Sequence, residues 1–144
     1  MLPDLNGFCK WLRRRNPQSS THKHYRSDLR LFFSWVNKTP HEVGVTDIDR
    51  YIEHCQGLGR ATATINRRLT AIRCFYSFLE FDSTDPPANP VIRKRHAIRQ
   101  GRRLPRDVDH PALARLFGAI ESPRDRAMYV LMLRCGLRLS LIHI

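Results

Sequence analysis

The residues that invite chemistry in this chain are cations spaced along helices. Lys23, His24, Arg26 and Arg30 fall within one amphipathic segment, with Lys23 and Arg30 on its polar face and Arg26 beside them. Arg60, Arg67 and Arg73 recur along a second segment, where Thr64, Asn66 and Thr70 add short polar groups. Phosphate contact needs Lys or Arg on a shared outward face, and short polar side chains can reach a base edge or a phosphate. From Arg93 to Arg106 every charged residue is basic: Arg93, Lys94, Arg95, Arg99, Arg102, Arg103 and Arg106. Such a stretch can lie along a DNA backbone without reading sequence, or serve only as a tether. The residues alone leave two readings of the stripes open, a phosphate-facing surface or the solvated face of a basic protein.

Other chemistries leave little trace. His22 and His24 sit at the start of a helix, facing phosphates or solvent, and His41, His54 and His110 have no partner spacing. Cys9, Cys55, Cys74 and Cys135 make no CxxC pair and no finger spacing with histidine, so no metal site is expected. They read as buried thiols in a reducing compartment, which points to the cytoplasm. Walker, GxGxxG, HExxH and GxSxG motifs are absent, and the acids sit mostly at helix starts, where the macrodipole explains them.

The bulk numbers agree with an anionic partner. Twenty-five Lys and Arg face 13 Asp and Glu over 144 residues, a formal net charge of +12. One-sign charge opposes compactness by self-repulsion and usually serves nucleic acid or an acidic surface. Apolar content is 42%, enough to bury a core. The longest apolar run, Ala127 to Leu133, is far short of the roughly 20 residues a bilayer needs, so no membrane partner is expected. No signal peptide is evident.

The elements that must position these cations are helices throughout. Leu5, Phe8 and Leu12 predict a helix from about Pro3 to Arg15, ended by Asn16-Pro17. A second starts near Ser20 or Thr21 and turns Tyr25, Leu29, Phe32 and Val36 inward. A third starts at Thr46 with Asp49 as its box acid, points Ile48, Tyr51 and Ile52 inward, and stops at Gly57 and Gly59. The fourth runs from about Ala61 to Phe81 on the stripe Ile65, Leu69, Ile72, Tyr76 and Leu79, with Arg67 and Cys74 outward and Arg68 on the flank. Asp85-Pro86-Pro87 and Asn89-Pro90 then enforce extended chain. Domains are expected at 1–82, with an exposed basic linker over 83–106 and a second segment over 107–144. Helices there start near Asp109, burying Leu113, Leu116 and Phe117, and at Ser122-Pro123, ending at Gly136.

Four stretches carry a family resemblance. Thr21 to Trp35, THKHYRSDLRLFFSW, resembles the T-x-x-x-Y-x-x-D-L-x-x-F-x-x-W helix of tyrosine-recombinase (phage-integrase) core-binding domains. Ala61 to Leu79 resembles that domain's last long helix, with its T-x-N-R-R-L-x-x-I-R-x-F-Y-x-F-L pattern. Asn89-Pro90 followed by Arg103-Leu104-Pro105 is similar to the interdomain linker. Pro123 to Ser140 resembles the opening of the catalytic domain, through its G-L-R-x-S turn.

The resemblance implies a small SAM-like helical bundle joined to a mixed α/β catalytic domain, of which only the first helices are present. The given chain is therefore expected to be all-α. Both parts would close on double-stranded DNA, and intact members assemble as oligomers on it. Arg138 would be the first catalytic arginine, binding the scissile phosphate; a planar, permanently charged guanidinium can hold two oxygens of a pentacoordinate phosphorane. Read without the family, Arg138 is only a cation near a helix C-terminus. A phosphotyrosine mechanism needs neither metal nor nucleotide cofactor. The family's glutamate does not follow Ser140; Leu141, Ile142, His143 and Ile144 stand there. The later basic strand residue, the H-x-x-R helix and the nucleophilic tyrosine have no counterpart, and Tyr25, Tyr51, Tyr76 and Tyr129 all fall within helices. The expectation is a truncated or misread recombinase that binds duplex DNA without cutting it, monomeric or self-associating through uncovered apolar faces. The rival readings are a non-enzymatic DNA-binding protein or regulator and, ranked lower, an RNA-binding protein, which would present aromatics for stacking.

Overall fold

The computed structural model describes residues 5–101 and 108–142, and it divides into two compact units, Met1–Gly101 and Arg102–Ile144. Pro3, Arg102, Arg103, Leu104, Pro105, Arg106, His143 and Ile144, which the sequence reading invoked, lie outside the described residues. Among the described residues there are eight helices and no strand.

The first unit is built on four helices: α1 (Asn6–Arg15), α2 (Thr21–Val36), α3 (Val45–Gly57) and α4 (Thr62–Asp82). Their ends follow local chemistry. Ser20 is the N-cap of α2, but its side chain makes no capping bond; the Ser19 hydroxyl accepts the Thr21 N–H at 3.1 Å instead. Asn37, left-handed at φ 49°, closes α2 with its N–H on the Phe33 carbonyl. α3 starts one residue earlier than predicted, and its box acid is Asp47 rather than Asp49: Asp47 Oδ2 accepts the Gly44 N–H at 2.9 Å. Lys38 donates to both Asp47 oxygens at 2.8 Å. Although burial opposes it, these bonds hold the Asp47 carboxyl below the usual carboxylate range. Gly59, at φ 66°, supplies the left-handed turn out of α3, and the Arg60 N–H closes back on the Cys55 carbonyl at 3.0 Å.

The core lies where α2 and α4 cross, with α1 and α3 on their flanks. Phe75 is its centre, meeting Phe8 edge-on at 5.5 Å and Phe33 at 5.6 Å. Phe32 packs on Tyr51 of α3 at 5.0 Å. Each such ring contributes roughly 1.5–3 kcal/mol by leaving water, and edge-to-face contact adds somewhat more. Most of the predicted inner stripes are buried, with Leu12, Tyr25, Val36, Ile52 and Leu79 half-buried at the edge of the core, and Phe33, Ala71, Phe75 and Phe78 join them. Tyr76 anchors its hydroxyl on the Pro40 carbonyl at 2.9 Å.

The expected exposed linker is in part a strap on this bundle. Pro90 and Val91 are buried, and the short α5 (Arg93–His96) ends on His96, which is also buried. The charge run by itself reads as a solvated tether, because the strap's cations are exposed, while its contacts to the bundle are made by Val91, His96, backbone groups and the Arg95 fork onto Asp49.

The second unit holds α6 (His110–Gly118), α7 (Pro123–Cys135) and α8 (Leu139–Ile142). Its starts are those the sequence predicts. Asp109 accepts the Ala112 N–H at 3.0 Å, Ser122 accepts the Asp125 N–H at 3.3 Å, and Gly136 at φ 64° ends α7. The expectation that α6 buries Leu113, Leu116 and Phe117 does not hold. Leu113 and Phe117 are half-buried and Leu116 is exposed, and neither α6 nor α7 has a fully buried residue.

Candidate nucleic-acid interface

α2 presents Lys23, Ser27, Arg30 and Ser34 to solvent along one side, with His24 also exposed and Arg26 half-buried. Helix geometry forces this placement: once Leu29, Phe32 and Phe33 enter the core, positions 23, 27, 30 and 34 must face out. On α4, Arg67, Thr70 and Arg73 are exposed and Thr64 is half-buried; Arg60 is exposed just before the helix.

One buried acid organises the space between the two helices. Asp28 sits in the apolar stripe of α2, only 3% exposed, and accepts a short hydrogen bond from Arg67 Nη1. Arg68 Nε lies 3.8 Å from its other oxygen. Burial pushes the Asp28 carboxyl above its ordinary range, against the pull of both arginines and of nearby His24. Arg67 thus has its side chain 44% exposed and its head tethered, a preorganised cation at the surface. Arg68 turns inward, donating to the Tyr51 hydroxyl and Cys55 Sγ, each at 3.4 Å. Burial raises the Tyr51 phenol to about 12.

Asn66 is not free to read a base. Its Nδ2 donates to the Ile98 carbonyl at 2.8 Å, and its Oδ1 accepts the Ile98 N–H at 3.0 Å. This two-bond clamp pins the end of the strap to α4. Nearby, Asn89 Nδ2 donates to the Arg73 carbonyl at 3.1 Å. Arg95 is exposed but forks onto Asp49 of α3, at 3.1 and 2.6 Å. His96 Nδ1 accepts the Ile92 N–H at 2.9 Å, and its Nε2 lies 3.3 Å from Asp49. Burial lowers the His96 pKa despite that carboxylate. Between α4 and the strap is a cavity of about 510 Å³, into whose wall Thr70, Arg73 and Arg93 enter. Arg93 and Lys94 are exposed.

The structure therefore brings Lys23, His24, Arg26 and Arg30 together on α2, with Arg67 beside them across Asp28. It gathers Arg73 and Arg93 at the strap cavity and commits Asn66 and Arg95 to internal contacts. Arg138 is exposed in the second unit, ahead of α8. Sequence reasoning missed Asp28 and Arg68. The available signal was an acid three residues after Tyr25 and four before Phe32, inside an otherwise apolar stripe. Among the described residues, no three His, Cys, Asp or Glu side chains come together as a metal site, and no helix is long and apolar enough to cross a membrane.

Comparison with known proteins is consistent across the chain. The phage integrase N-terminal SAM-like domain matches residues 5–81. The chain is similar to the tyrosine recombinase XerC of Pelotomaculum thermopropionicum, at 31% identity over 97% of this chain and 50% of the relative. Similarity to XerC of Pseudomonas fluorescens is 28%, over 97% and 50%. To the tyrosine recombinase XerD of Chlorobaculum tepidum it is 29%, over 94% and 48%. The chain spans about half the length of the curated relatives it matches.

Proposed function

This chain belongs to the phage integrase (tyrosine recombinase) family, and from that premise we propose that its first unit binds duplex DNA for site-specific strand exchange. The observation that carries the reading is the outward basic line of α2, with Arg67 fixed beside it by a buried carboxylate. These cations contact backbone phosphates and supply affinity; base discrimination falls to short polar groups such as Thr64. The exposed cations of the strap, Arg93 and Lys94, continue the phosphate track.

In the whole protein, Arg138 is the arginine that holds the scissile phosphate as negative charge builds on it. A tyrosine oxygen attacks that phosphorus, the sugar hydroxyl leaves, and the phosphotyrosine retains the bond energy until a second strand's hydroxyl displaces the tyrosine. None of the four tyrosines of this chain suits that role. Tyr25, Tyr51, Tyr76 and Tyr129 lie within helices, and burial raises the phenols of Tyr25, Tyr51 and Tyr76. This span binds without cleaving, in a cytoplasmic setting.

The test is a salt series of binding to random duplex DNA with Arg30→Ala alongside. Loss of one phosphate contact should reduce the slope of log K against log salt by about 0.9. Salt-independent binding, or none, would remove the reading. Arg30 is the clean probe, because Arg67→Ala also strips Asp28 of a partner.

A further inference from the structure

Elsewhere in the first unit the best-held cations are each answered by an acid: Lys38 by Asp47, Arg67 and Arg68 by Asp28, Arg95 by Asp49. One place breaks this pattern. The groove between α1 and α2, about 450 Å³, is lined by Lys10, Arg13, His22, Lys23 and Arg26, and no carboxylate appears in its wall among the described residues. Among the described residues, the side-chain hydrogen bonds of its arginines are to Asn6 and His22. Arg26 Nη2 donates to Asn6 Oδ1 at 3.3 Å. Arg13 Nη2 lies 3.4 Å from His22 Nε2, whose ring is oriented by Nδ1 donating to the Ser19 carbonyl at 3.0 Å. Arg26 Nε is buried with no hydrogen-bond partner among the described residues.

Like charges gathered without a counter-charge repel, and an unmet buried donor costs free energy. A bound anion relieves both at once. We propose that this groove is a further phosphate site for the duplex DNA backbone, in which Lys10 and Arg13 of α1 act with Lys23 and Arg26 of α2. It rests on the DNA-binding reading and extends it: Lys23 and Arg26 also belong to the α2 line, so the phosphate track crosses from α2 onto α1. A phosphodiester oxygen suits the site because guanidinium forks bind such oxygens in pairs and an ammonium adds a point charge. Aromatic stacking has no part in it, because among the described residues no aromatic ring other than His22 lines the groove.

The experiment uses the full chain and duplex DNA over a salt series, comparing wild type, Lys10→Gln/Arg13→Gln, and Arg50→Gln at an exposed position of α3 as a charge control. Lys10 and Arg13 are exposed, so the double variant should keep its helical circular dichroism and melting temperature. The expected result is a slope shallower by about 1 to 2 in the double variant and unchanged in the control. The charge-preserving pair Lys10→Arg/Arg13→Lys should restore most of it. A steep wild-type slope that the double variant retains overturns this site alone. An equal loss in Arg50→Gln also overturns it, since bulk charge would then explain the effect. A wild type indifferent to salt overturns the DNA-binding reading and this site with it.

Discussion

The two units are written with the same helix signals and end in different states. α7 has a Ser cap, proline at its first position and a left-handed glycine at its end, local chemistry as complete as any in the chain. α4 has no side-chain cap at all. Yet α4 buries seven residues, and α7 buries none. Capping decides where a helix starts and stops, worth about 1 kcal/mol per end. Burial decides whether it is held, and burial needs other elements to supply the far side of the core. Tyr129, Val130, Leu131 and Leu133 therefore stay exposed in the second unit, while Phe75 is enclosed in the first.

The largest effect expected from this contrast is in paired truncations. Phe75→Ala should cost about 3–5 kcal/mol in urea unfolding, and Leu131→Ala should stay within about 0.5 kcal/mol. Comparable losses would mean that the α7 face is covered in solution. Next comes Arg67→Ala, which leaves Asp28 buried without its hydrogen-bonded arginine; a loss of about 1–3 kcal/mol is expected, discounted for the exposure of Arg67. Asp28→Asn in the Arg67→Ala background should recover part of it, because the amide carries no charge to desolvate. No recovery would show that the pair contributes through packing alone.

The strap offers a finer comparison, between a clamp and a titrating contact. Asn66→Ala removes both bonds to Ile98 and should cost about 1–3 kcal/mol, read as faster amide exchange over 92–98 with the α2–α4 core still protected. The smallest effect is pH-dependent. The His96 pKa is lowered in the fold, mainly by burial, so the neutral ring is the folded form. Its contribution is present above the unfolded histidine's pKa and is lost as pH falls through that value toward the folded one. Protonation also takes the Nδ1 lone pair that accepts the Ile92 N–H. Strap exchange should therefore quicken with acid in wild type and lose that dependence in His96→Gln; an unchanged profile would place the titration elsewhere, with Asp49 the nearest candidate.

Much of the fold was legible in advance. Inner stripes such as Ile65, Leu69, Ile72 and Tyr76 recur at helical spacing, and Gly59 and Gly136 mark helix ends by a backbone conformation that other residues resist. The outward placement of Lys23 and Arg30 follows from the same periodicity. The strap was misread because a run of like charge resembles a solvated tether, whereas it docks through Val91, His96, two backbone groups of Ile98 and the Arg95 fork onto Asp49. Arg68 was read as a flanking residue because nothing near it in sequence announces the acid and phenol that draw it inward.

What the sequence by itself determined is local: which segments are helical, which face of each is apolar, where caps fall, and that the surface is strongly basic. These depend on neighbours within a turn or two. Only the tertiary structure decided which cations are free to meet an anion. Asp28 claims Arg67 across 39 residues, Asn66 clamps Ile98 across 32, and Asp49 takes Arg95 across 46. The α1 cations join the α2 line only because the two helices pack together. Electrostatic partnership acts through space, and no spacing rule along the chain can assign it.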